Sequence, residues 1–172
     1  MNNQRELPPT YAKYADMAQE NNREYQKTKA DNIANGLKDN HAFFHAQQKL
    51  NDIVTEFEQV RKDEINASAK NAFRCVGDKS EYLSVVNEAK NMSSGDRMKY
   101  AQSAMKIDAW DNVRAIASTA FDMKDFKTLD YISQNSPMGV AQPLSDLAKT
   151  YKGLGSESAE RNFRMFNFFV QR

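Results

Sequence analysis

Two histidines four residues apart, in His41-Ala-Phe-Phe-His45, have the spacing of metal ligands. On a helix, positions i and i+4 share a face, and two imidazoles placed so can hold zinc. The glutamate of the metalloprotease motif is missing, and no third ligand stands out. The competing reading is two polar side chains beside aromatic packing near a helix start, and it is the one adopted here, with no metal. Cys75 is the only cysteine. It lies near a helix C-terminus, where the dipole disfavours a thiolate, and it has no motif partner that would make it a nucleophile. The six glycines are scattered, so no cluster lets backbone amides close around a phosphate. Carboxylates are plentiful, but each fits a cap or a solvated helix face, and a hydrolytic pair has no positive support. The sequence therefore points to no catalytic residue and no cofactor, and we read the chain as non-enzymatic.

The elements that carry these residues are helical throughout. From about His41 to Val76, apolar residues recur every three or four positions: Phe44, Leu50, Ile53, Val54, Phe57, Val60, Ile65, Ala69, Ala72, Phe73 and Val76. That spacing lays a stripe along one side of a helix about 50 Å long. Before it, Pro8 and Pro9 follow an extended lead-in. A first helix is predicted from about Pro9 to Asn35, with a thin stripe of Tyr11, Tyr14, Ala15, Ala18 and Tyr25. Asn35-Gly36 reads as a helix stop, Asp39 or Asn40 as the next N-cap, and Gly77 as the end of the long helix.

Beyond Gly77 the helices shorten. Asp78 with Glu81 reads as a capping box for a helix to about Met92, with Leu83, Val86 and Ala89 inward. Ser93-Ser94-Gly95 breaks it, and residues 96–106 form the next helix. Asp108 is expected to cap a helix carrying Trp110, Val113, Ile116, Ala117 and Ala120, and Asp125 to cap residues 126–135. Pro143 argues against a regular helix straight through, so a short turn should precede a helix from about 143 to 152 with Leu144 and Leu147 inward. A last helix is expected from Ser156, with Phe163, Phe166, Phe168 and Phe169 around it. Residues 96–135 loosely resemble a helical-hairpin repeat, through Ala101, Ala104, Ala117, Ala120 and Lys124-Asp125-Phe126, without a second clean copy. No segment alternates with a two-residue period. The expected fold is all-α: a helical arm over 1–77 and a compact bundle of short antiparallel helices over 78–172.

Composition narrows the partners. The 172 residues hold 24 Lys+Arg against 23 Asp+Glu, and 40% of residues are hydrophobic. Within residues 1–77 the count is 11 basic and 11 acidic. A protein held on nucleic-acid phosphates shows a basic surplus or stripe, and none is visible; nucleic acid stays open as a partner only through a local patch, since net charge does not report clustering on a folded surface. The start lacks the apolar run of a signal peptide, and no uncharged run reaches the roughly 20 residues of a membrane span. With one cysteine, this fits a cytosolic protein or part of a particle made in a cytosol. The first helix offers too few apolar residues to cover the long stripe, so Leu50, Ile53, Val54, Phe57 and Val60, with Phe168 and Phe169 at the other end, are expected to bind a second chain.

One segment carries a likeness. Between Val113 and Lys152 the series Ala-Ile-Ala, Ala-Phe, Lys-Asp-Phe, Leu-Asp-Tyr-Ile, Asn-Ser-Pro and Leu-Ala resembles small helical proteins of tailed-bacteriophage structural modules. The resemblance covers about a quarter of the chain and transfers no catalytic residue. It implies a virion or head-assembly role. The first functional expectation is thus a structural or assembly protein that binds copies of itself or another particle component. The second is a regulatory module that sequesters a host or nucleic-acid-processing protein.

Overall fold

The computed structural model describes residues 9–154, with side chains from 12 to 151. They form seven helices: α1 (Pro9–Ala34), α2 (Asn40–Ala72), α3 (Lys79–Lys90), α4 (Ser94–Lys106), α5 (Trp110–Asp122), α6 (Phe126–Asn135) and α7 (Met138–Leu154). No strand occurs among the described residues, and the fold is all-α. Packing divides the chain inside α2, between Ile65 and Asn66, and again between Thr150 and Tyr151. The sequence had placed one boundary at Gly77. The last turns of α2 contribute Ala69 and Ala72 to the core of the second unit, which moves the division upstream.

The first unit is a helical hairpin. Gly36 takes φ 68 just after α1, a left-handed conformation that costs glycine nothing. The Leu37 N–H then reaches the Asn32 carbonyl at 2.8 Å and the Gly36 N–H reaches Ile33 at 3.1 Å, which closes a Schellman stop. Tyr14, Ala15 and Ala18 bury against Leu50, Ile53 and Phe57 of α2. The Tyr14 and Phe57 rings meet edge to face at 5.4 Å, and the Tyr14 hydroxyl donates to Glu56 at 3.0 Å. Leu50, Ile53 and Phe57, expected at a contact with a second chain, are thus buried against α1, and the flanking Val54 and Val60 are partly buried beside them. The cover combines one large ring, Tyr14, with the small Ala15 and Ala18.

The second unit is built around α5. Its Val113, Ala115, Ile116, Ala117, Thr119 and Ala120 are all fully buried, because α3, α4 and α6 all pack on it. The three alanines in that set leave room for three neighbours to pack on one short helix. Leu83, expected inside, is half exposed; Val85 and Ala89 are the buried residues of α3, with Tyr82 and Val86 beside them. Positions 82, 85, 86 and 89 form one helical line, and the core selects it over the line through Leu83. α7 also departs from expectation by running straight through Pro143. The lost hydrogen bond would have gone to the exposed Gly139, whose carbonyl is open to water, while Val140, Leu144 and Leu147 stay buried in one core.

The α4–α5 and α5–α6 joints are near copies. The helices before them end at caps Ile107 and Met123, sixteen residues apart. Asp108 and Lys124 follow with φ 54 and 57. The Ala109 N–H bonds to Ala104 at 2.9 Å and the Asp125 N–H to Ala120 at 2.7 Å. Both are Schellman stops with a non-glycine residue in the left-handed position. The cap of α3, Asn91, lies one further period upstream without that geometry. Asp108 therefore terminates α4 and does not cap α5; the N-cap position is Ala109, which makes no side-chain capping bond.

Candidate functional site

Three groups of residues have more than packing to offer: the turn end of the hairpin, a buried polar cluster, and an open groove. At the hairpin end, Tyr25 and Asn21 tie the helices together. The Tyr25 hydroxyl donates to Asp39 at 2.7 Å, and burial followed by that carboxylate pushes the phenol up to about 12. The Asn21 side-chain amide donates to the Ala46 carbonyl at 2.9 Å. Both Asn21 and Tyr25 are buried. Around this polar seam the apolar residues face outward. Ile33, Leu37 and Phe44 are 65%, 61% and 65% exposed, and the Phe44 ring lies edge-on to Phe43 at 5.8 Å.

The buried cluster centres on Asp125, the N-cap of α6. Its carboxylate accepts from Arg97 Nε at 2.9 Å, Ser94 Oγ at 2.8 Å, Thr128 Oγ1 at 2.7 Å and the Thr128 N–H at 3.3 Å. Arg97 is 5% exposed and also donates to the carbonyls of Met92 at 2.6 Å and Ala89 at 3.3 Å. Burial alone would raise the Asp125 carboxyl, but donors from Thr128, Ser94 and Arg97 together hold it below the ordinary carboxylate range. This network closes on itself. It ties the start of α4 to the start of α6.

The groove lies at the other end of α5. It has a volume of about 520 Å³ and is lined by Val76, Glu81, Asp108, Trp110, Asp111 and Arg114 among others. Asp111 accepts the Val76 N–H at 3.0 Å and the Gly77 N–H at 2.6 Å, and Arg114 approaches it at 3.4 Å. Burial opposes its ionisation, yet those backbone donors and Arg114 hold its carboxyl below the ordinary range. A Cβ on Gly77 would sit 2.9 Å from Asp111 Oδ2, so the chain needs glycine there to approach this closely. Cys75 Sγ lies 3.8 Å from the same carboxylate. Burial first, then Asp111, pushes the thiol up, which keeps it a poor nucleophile.

Of the residues singled out from sequence, Leu50, Ile53 and Phe57 come together inside the hairpin, with Val54 and Val60 partly buried on the same seam. Phe168 and Phe169 lie outside the described residues. His41 and His45 are both exposed, and no group of three His, Cys, Asp or Glu residues able to hold a metal occurs among the described residues. No described helix is long and apolar enough to cross a membrane. Sequence missed Arg97, whose charge reads as a surface residue, and the pairing of Asp111 with Gly77. The small residue after a helix end and the acid in a first turn were each visible, but not their meeting.

By architecture this is an all-α chain in which a helical hairpin is followed by a stack of short helices. No protein-family model, curated protein or solved structure matches it.

Proposed function

We propose that the chain is a non-enzymatic structural or assembly protein, and that it binds further copies of itself through the turn end of the α1–α2 hairpin. The observation that carries this reading is the exposure of Ile33, Leu37 and Phe44 within one stretch of twelve residues. Each large side chain left in water forgoes roughly 1.5–3 kcal/mol of burial, and apolar residues grouped in this way mark contact surfaces. Charge does not oppose contact between copies: residues 29–45 contain Lys29 and Lys38 against Asp31 and Asp39. The patch is small for a stable dimer, which buries about 800 Å² per partner. The contact therefore suits repeated weak engagement, as in a particle, where many copies act together. The resemblance of residues 113–152 to tailed-phage structural proteins supports that setting.

The test is the triple substitution Ile33→Asp, Leu37→Asp and Phe44→Asp. Sedimentation should show the parent associating with rising concentration and the variant remaining at the mass of one chain, with unchanged helicity by circular dichroism. A parent that stays monomeric up to millimolar concentration, or a variant that associates like the parent, defeats the proposal.

A further inference from the structure

The groove beside Trp110 differs from the hairpin end in both shape and charge. Its floor and walls combine an indole, the exposed Val76 side chain and two exposed carboxylates, Glu81 and Asp108. Asp111 is already engaged by the Val76 and Gly77 N–H groups and by Arg114. Its charge answers both the guanidinium and the positive end of α5. Glu81 and Asp108 have no ion-pair partner among the described residues, so the groove retains negative charge beside an aromatic wall.

We propose that this groove receives an arginine side chain from a basic segment of a partner protein. Guanidinium is the cation that matches the lining. Its flat face stacks on an indole, its edge forks onto carboxylates, and its three-carbon stem packs on apolar surface such as Val76. A phosphate or an acidic segment would meet Glu81 and Asp108 as like charges. The left-handed backbone of Asp108 (φ 54) belongs to the joint, since Lys124 shares it (φ 57), and it contributes only the placement of the carboxylate at the rim. This site shares no residue with the hairpin end, so failure at either leaves the other standing.

Trp110 is the only tryptophan in the chain, and its fluorescence reports on the groove directly. The probe is a blocked tripeptide, glycine-arginine-glycine, compared with its citrulline counterpart, which keeps the shape and loses the charge. Titration with the arginine peptide should shift Trp110 emission saturably. The citrulline peptide should bind at least tenfold more weakly, and a rise from 20 to 500 mM salt should weaken the arginine peptide severalfold. The double variant Glu81→Gln, Asp108→Asn should bind the arginine peptide at least fivefold more weakly. Asparagine tolerates the left-handed conformation at 108, and circular dichroism confirms that the variant is folded. An unsaturable response, equal response to citrulline, or unchanged affinity in the folded double variant overturns the proposal.

Discussion

The α4–α5 and α5–α6 joints share one backbone path and fill it with opposite chemistry. At the second, Asp125 caps the new helix and closes on a buried arginine. At the first, the equivalent position is Ala109, which caps nothing, and the acid sits two residues later as Asp111, reaching outward to the chain at Val76 and Gly77. Backbone geometry alone therefore does not decide whether such a joint is sealed or open. The placement of one carboxylate relative to the helix start does, and the sealed joint is buried while the open one borders a groove.

Substitution of the two acids should expose this difference most strongly. Asp125→Ala strands the Arg97 guanidinium in the interior, and removing one member of a buried pair costs on the order of 3–5 kcal/mol. Asp111 is about a quarter exposed at its side chain, and the amides it releases can reach water, so Asp111→Ala should cost only about 1–2 kcal/mol. Urea unfolding of both variants decides the matter, and equal losses would break the comparison. Gly77→Ala probes the open joint from the other side. The added methyl meets Asp111 Oδ2, and crowding of this kind costs about 1–3 kcal/mol. If Gly77→Ala unfolds at the parent's urea midpoint, the close approach carries no weight.

Acid should weaken both joints, and the sealed one more. Both carboxyls are held below the ordinary range in the fold. Their contributions are fully present above the unfolded value of about 3.9 and are lost as pH falls through the folded values. Stability from urea midpoints should be level from pH 7 to about 5 and decline below about 4. Asp125→Asn should flatten that decline more than Asp111→Asn does. The smallest effect concerns what the joints have in common. A side chain in the left-handed region costs roughly 1–2 kcal/mol, offset in part by the freedom glycine gains when unfolded. Asp108→Gly and Lys124→Gly should each stabilise by up to about 1 kcal/mol, and by similar amounts. A gain at one and a loss at the other would show that the two backbones are not equivalent in energy.

Helix identity was legible because it rests on local signals. The Pro9 start, the Gly36 stop, and the Asp78 and Asp125 caps stand where their chemistry requires. What could not be read was the choice between faces. α3 offers two apolar lines, and only the neighbours in space select Val85 over Leu83. The seam of Leu50, Ile53 and Phe57 reads as uncovered because its cover, Tyr14, Ala15 and Ala18, comes from a helix with few large apolar residues. The outward position of Ile33, Leu37 and Phe44 has no local signal, since exposure is a property of what is absent around a residue. Buried polar groups were the least legible. Arg97 and Asn21 each look solvated in one dimension, and their partners Asp125 and Ala46 lie 28 and 25 residues away.

The sixteen-residue spacing of the joints also constrains how this chain can lengthen. α3 packs on α5 and α4 on α6, each on the second helix along the chain. An insertion one period long between α4 and α5 would push the members of both pairs one helix further apart. The same insertion after α6 leaves both pairs as they are. Growth beyond α6 is therefore the route that preserves both the sealed joint and the open groove.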